Sequence, residues 1–154
     1  MIILGIDPGI AIVGYGIIEY KNNKFKVIDY GAIFTPASIS TTKRLEKIYK
    51  GIDILIKNYN IDEVGIEELF FNKNVKTAIT VAQARGVILL ACSHNDKPIY
   101  EYTPLQVKQG VVGYGRAKKL QVQQMVEIIL NLKEIPKPDD VADANWERCA
   151  EQIK

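Results

Sequence analysis

The tripeptide Gly5-Ile6-Asp7 returns in kind as Gly65-Ile66-Glu67, and each copy closes a short apolar run. The first run, residues 2–7, is halted by Pro8-Gly9 and reads as a buried strand stopped by a turn. The second, residues 63–70, carries Val64, Ile66 and Leu69 and reads the same way. Because strand side chains alternate, Asp7 shares a face with Gly5 and Glu67 shares one with Gly65, so a missing side chain clears space beside each acid. If the two strands are neighbours, the carboxylates converge. An ionised carboxylate at the end of a core strand is costly without a counter-charge, and no basic residue stands near either acid in sequence. A bound cation would offset that cost.

The remaining pattern supplies the scaffold. Residues 14–20 and 26–34 are rich in β-branched and aromatic side chains and are joined by Lys21-Asn22-Asn23-Lys24, a hairpin connection. Ser40, Thr41 and Thr42 offer N-caps to a helix whose Leu45, Ile48, Tyr49, Ile52, Leu55 and Tyr59 recur every three or four residues. Residues 74–93 suggest a buried helix through Ala78, Val81, Ala82, Ala84 and Leu89. Residues 98–102 form a fifth strand, and 117–130 and 140–153 two further helices. Three strands followed by alternating helices and strands predict an α/β fold: a mixed five-stranded sheet, three strands antiparallel and then two parallel, flanked by helices. With 154 residues, the expectation is one domain spanning 1–154.

Asp140 and Asp143 stand i, i+3 at the start of the last helix and project from one side of its first turn. Hard oxygen ligands without histidine or thiolate select Mg²⁺ or Mn²⁺ over zinc, and four carboxylates suffice for two ions about 4 Å apart. That geometry suits phosphodiester hydrolysis, one ion activating water and the other stabilising the leaving 3′-oxygen. Structural alternatives stand beside each acid. Asp7 before Pro8-Gly9 also fits an ordinary turn residue, Glu67 beside Glu68 a surface strand end, and Asp139 or Asp140 a helix cap.

The formal charge of +2 says little, but its distribution says more. Residues 69–95 contain no acid and carry Lys73, Lys76 and Arg85; residues 103–126 again lack acids and carry Lys108, Arg116, Lys118 and Lys119. In a chain with 18 carboxylates such segregation favours a polyanionic partner over plain solvated helix faces. Cys92 and Cys149 form no Cys-x-x-Cys pair and His94 is the sole histidine, so a nitrogen and sulfur zinc site is disfavoured and both cysteines read as packing residues. No stretch approaches the roughly 18 apolar residues of a membrane span, and no basic leader precedes the first strand, so no membrane association is expected and a cytoplasmic location is.

In family order, the chain contains Gly5-Ile6-Asp7-Pro8-Gly9, Ile66-Glu67-Glu68-Leu69-Phe70, Gln83-Ala84-Arg85-Gly86, Gln106-Val107-Lys108-Gln109 with Val112-Gly113, and Asp140-Val141-Ala142-Asp143-Ala144. Together these resemble the RuvC family of Holliday-junction resolvases over roughly residues 1–144. The opening motif alone is also shared by sugar kinases and actin-like ATPases, but those build two such domains. The resemblance implies an RNase H-like fold, a homodimer, and Mg²⁺-dependent cutting of two opposed strands of a four-way DNA junction in recombination and repair. It also admits a branch-migration motor complex as a partner. It carries over Asp7, Glu67, Asp140 and Asp143 as catalytic acids and metal ligands. It places Phe70 where an aromatic stacks on a base near the crossover, with core packing as the alternative. Lys108 and Lys119 fall where family lysines approach the DNA backbone, in the same acid-free segment as Arg116 and Lys118. Gly113, Tyr114 and Gly115 fit a mobile loop that lets backbone approach phosphates. The helix over 74–93 is a candidate dimer interface and equally a candidate core helix.

The chain departs from the family after Ala144. The family continues there with an aliphatic helix and often a histidine, whereas this chain reads Asn145-Trp146-Glu147-Arg148-Cys149-Ala150-Glu151-Gln152-Ile153-Lys154, an early stop for the family. Ala142, Trp146, Cys149, Ala150 and Ile153 keep helical spacing, so a helix with a different packing face is expected. The competing readings are a junction-binding module that cuts weakly or not at all, and a related nuclease acting on RNA or hybrids.

Overall fold

The computed structural model describes residues 1–69, 75–116 and 118–130. Its core is a five-stranded sheet in the order β3-β2-β1-β4-β5, built from β1 (Ile2–Asp7), β2 (Ile12–Lys21), β3 (Lys24–Phe34), β4 (Glu63–Glu67) and β5 (Ile99–Tyr102). β1 pairs antiparallel with β2 and β2 with β3, while β1 with β4 and β4 with β5 are parallel. The predicted mixed sheet is therefore present, three antiparallel strands followed by two parallel ones.

Local chemistry accounts for the elements. Asn22 and Asn23 both take positive φ, 52° and 61°, which a two-residue hairpin loop requires and asparagine tolerates, so β2 and β3 pair right up to Lys21 and Lys24. Helix α1 (Thr41–Asn58) starts at Ser40, whose side chain accepts from the Lys43 N–H at 3.4 Å, and turns Ile48, Ile52, Leu55 and Ile56 inward. Helix α2 (Val75–His94) contributes Ala84, Ile88, Ala91 and Cys92 to the same core. These side chains meet Leu4, Ile6, Val13, Tyr15, Ile17, Ile33, Val64 and Ile66 from the sheet. Cys92 is a packing residue, as expected, and burial pushes its thiol up to about 11.

Two helices follow β5: α3 (Pro104–Val112) and α4 (Lys119–Leu130). Sequence periodicity did not anticipate α3, although its signal was present. Thr103 accepts from the Gln106 N–H at 3.2 Å, and Gln106 reciprocates by accepting from the Thr103 N–H at 2.8 Å, a capping box with Pro104 at the first helical position. A nine-residue helix with no buried residue lacks the apolar stripe on which periodicity depends. The strand expected over 63–70 ends at Glu67: the Glu68 N–H makes a last bond to the Tyr102 carbonyl at 2.8 Å, and the neighbouring β5 itself stops at Tyr102. Phe70, Cys149, and the expected helix 140–153 with Asp140 and Asp143 lie outside the described residues.

Candidate active site

The two faces of the sheet are chemically different. Along β1, Leu4 and Ile6 are buried while Gly5 and Asp7 face the other way; along β4, Val64 and Ile66 are buried while Gly65 and Glu67 face the same way as Asp7. α1 and α2 thus cover one face, and both acids stand on the opposite one. The parallel register pairs Gly5 with Gly65 and Ile6 with Ile66, so one further step sets Asp7 beside Glu67 on strands about 4.8 Å apart. The convergence expected from the repeated tripeptide is present.

Asp7 is the last residue of β1 and pairs with Gly14 of β2, so it belongs to the ladder and not to the turn that follows. A Cβ on Gly14 would lie 3.6 Å from that of Asp7, so only glycine leaves this flank bare. A Cβ on Gly5 would meet nothing nearer than the Gly16 carbonyl at 3.8 Å, so the space beside Asp7 is open as anticipated. The expectation fails beside Glu67. The Tyr102 ring sits 3.5 Å from where a Gly65 Cβ would be, and Tyr102 is the residue opposite Glu67 on β5. Tyr102 therefore flanks the acids, a role that strand alternation could have suggested only once β5 was known to neighbour β4.

Glu67 is half-buried, whereas Glu68 is exposed, which separates the site acid from the surface one. Burial, and then the charge of Asp7, push the Glu67 carboxyl above its ordinary range, and the Lys108 ammonium pulls it back. The sequence shows no counter-charge near Glu67, but the fold brings one within electrostatic reach: Lys108 on α3. Arg116 and Lys118 are exposed between α3 and α4, and Lys119 opens α4. Gly113 acts as the C-cap of α3, at φ 86°, with its N–H donating to the Gln109 carbonyl at 2.9 Å, so this glycine ends a helix. Arg85, one of the basic residues of the acid-free stretch 69–95, is paired with Glu101 of β5 and is not part of an open cationic surface.

The donor set fits a hard divalent cation. Asp7 and Glu67 supply carboxylate oxygens only, Glu67 is penalised for ionising, and the one free cysteine described is buried. Among the described residues no third acid, histidine or cysteine joins them.

The family described as crossover junction endodeoxyribonuclease RuvC matches residues 3–145. The chain belongs to the RuvC family. A RuvC from Clostridioides difficile (strain 630) is 80% identical over 144 residues, covering 94% of this chain and 85% of that protein. A RuvC from Alkaliphilus oremlandii (strain OhILAs) is 65% identical over 144 residues, covering 94% and 88%. Among solved structures, Thermus thermophilus RuvC in complex with Holliday junction substrate superimposes with a TM-score of 0.85 at 34% identity, covering 94% of this chain and 88% of that one. The fold is thus RNase H-like, and RuvC membership implies divalent metal use. The RuvC match spans Asp140 and Asp143, and Trp146 to Lys154 lie beyond it.

A carboxyl whose pKa rises on folding favours the folded state below the ordinary carboxylate range and loses that advantage as pH climbs through the raised value. Glu67→Gln should therefore raise the melting temperature at neutral pH in chelator, with the gain shrinking as pH falls through the raised value and gone below the ordinary carboxylate range. Added Mg²⁺ should stabilise the parent chain and not the variant. Thermal melts across pH, with and without Mg²⁺, check both signs.

Proposed function

We propose that this chain is a structure-selective endonuclease that resolves four-way DNA junctions by Mg²⁺-dependent phosphodiester hydrolysis, acting as a homodimer. The observation that carries the reading is the acid pair Asp7 and Glu67, side by side at the ends of parallel neighbours, in a chain 80% identical to a protein named crossover junction endodeoxyribonuclease RuvC. In this reading residues 1–154 act as one nuclease domain, and the described residues are built around one sheet.

In this reading Asp7 and Glu67 hold divalent cations together with Asp140 and Asp143, which fall within the span that matches the family. Two cations are the expected complement, with Mn²⁺ able to substitute. When bound, they neutralise charge on the scissile phosphate and lower the cost of deprotonating water. Lys108, within electrostatic reach of Glu67, presents its ammonium to the phosphate that enters the site. Arg116, Lys118 and Lys119 follow the DNA backbone from the α3–α4 junction, and Phe70 stacks on a base near the crossover.

Dimerisation is supported by α2. This helix is apolar on nearly every side, yet only one side meets the core: Ile79 is 57% exposed and Leu90 48%, with Ala82 and Gly86 exposed between them. A second copy laid against that face buries it and creates paired sites for two equivalent strands. Both alternatives for this helix then hold, one on each face. Leu90→Glu should shift the protein to monomer in light scattering behind size exclusion while leaving its circular dichroism unchanged.

The reading is tested with a synthetic four-way junction and a matched linear duplex, each with Mg²⁺ or chelator, read on a denaturing gel. Paired, Mg²⁺-dependent nicks near the crossover, absent from the duplex, are expected. Asp7→Asn should lower the cleavage rate by roughly 10²–10³-fold or more while junction affinity is kept, because the lysines remain. Junction binding by the parent chain without cuts would favour the binding-module reading and point to Trp146 to Lys154, beyond the family match.

A further inference from the structure

Thr35 is a buried polar residue beside the described hydrophobic core, 3% exposed. It directly follows β3, and each of its polar atoms is engaged. Its N–H donates to the Ala11 carbonyl at 2.9 Å, and its hydroxyl donates to the Ile10 carbonyl. That hydroxyl also accepts from Arg44 Nε at 2.9 Å, while the Arg44 terminal nitrogen donates to the Thr35 carbonyl at 3.2 Å. A guanidinium can only donate, so it occupies the acceptor side of the hydroxyl and leaves the single hydroxyl proton to point at Ile10. Arg44 therefore sets the direction of the Thr35 bond as well as adding two of its own.

The segment that receives these bonds runs from Asp7 to the start of β2. It is short and tight: a Cβ on Gly9 would fall 2.2 Å from the Ile12 carbonyl. Ladder bonds hold Asp7 on its amino side, and on its other side the chain is anchored through Ile10 and Ala11 to Thr35. Arg44 sits in the first turn of α1, a place where a cation opposes the helix dipole, and that turn contains no acid of its own. A cation kept there at a cost, half-buried and spent on two oxygens of one residue, has a local purpose.

We infer that Arg44 and Thr35 are positioning residues for Asp7, forming a clasp that ties α1 and the end of β3 to the loop following the acid. The inference rests on the proposed function for its kinetic consequence, though the clasp itself does not. A 1 Å displacement of a reacting group costs up to about 10²-fold in rate, so loosening this loop acts on catalysis before it acts on binding.

The test compares the full chain with Thr35→Val, which keeps shape and removes the hydroxyl, and with Thr35→Ser, which restores it. Single-turnover junction cutting and amide hydrogen exchange over residues 8–12 are read together. Thr35→Val should cut about tenfold slower at saturating junction, with affinity within about twofold, and Thr35→Ser should return to the parent rate. Exchange over residues 8–12 should be faster in Thr35→Val alone. Parent-like cutting and exchange in Thr35→Val, or a Thr35→Ser variant as impaired as Thr35→Val, would overturn the clasp. If Thr35→Val does not fold, Arg44→Lys decides, since an ammonium has no planar fork to span both Thr35 oxygens: faster exchange over residues 8–12 supports the clasp, and parent-like exchange overturns it. A parent chain that fails to cut would count against the proposed function, while the exchange comparison still decides the clasp.

Discussion

Two carboxylates placed side by side at the ends of neighbouring parallel strands repel one another, and the half-buried Glu67 also resists ionising. Most of what surrounds them makes that arrangement tolerable. Parallel pairing of β1 with β4 requires a long crossover, which α1 provides, and α1 and α2 then fill one face of the sheet with aliphatic side chains. With that face sealed, the acids stand on the other, among Gly5, Gly14 and the Tyr102 ring. Lys108 on α3 offsets part of the electrostatic cost, and in the proposed reading a hard divalent cation would offset it more fully. In the proposed reading the same pair is a local liability for the bare chain and the source of its chemistry.

Much of this was legible in the residues, for reasons that differ by element. β1 and β4 announced themselves because an apolar run ending at an acid has few other readings, and their repeated Gly-Ile-acid pattern carried the register that the ladder shows. α1 was legible because its 3.6-residue stripe is wide and Ser40 caps it. α3 was not, since it buries nothing and its existence rests on a capping box instead of periodicity. The Tyr102 flank and the approach of Lys108 to Glu67 were beyond sequence reasoning because both depend on which strand lies beside β4. Arg85 misled in the opposite direction: an acid-free stretch of sequence does not exclude an acid from a neighbouring strand, and Glu101 fills that place.

α2 carries apolar side chains on two faces. Ala84, Ile88, Ala91 and Cys92 pack on the sheet, while Ile79 and Leu90 lie exposed on the far side. Asymmetric composition would have marked one face as solvent, and its absence is what asks for a partner. Thr35 makes a parallel point about polarity. A buried hydroxyl is costly unless its bonds are made, and those of Thr35 reach the loop that follows Asp7.

The central claim is that Asp7 and Glu67 together hold a divalent cation. Its most direct test is a crystal soaked in Mn²⁺ with diffraction measured near the manganese absorption edge. An anomalous peak between the two carboxylates, within coordination distance of an oxygen from each, is the predicted result. Density lacking that peak at a Mn²⁺ concentration that supports cleavage, or a peak held by other residues, would contradict it.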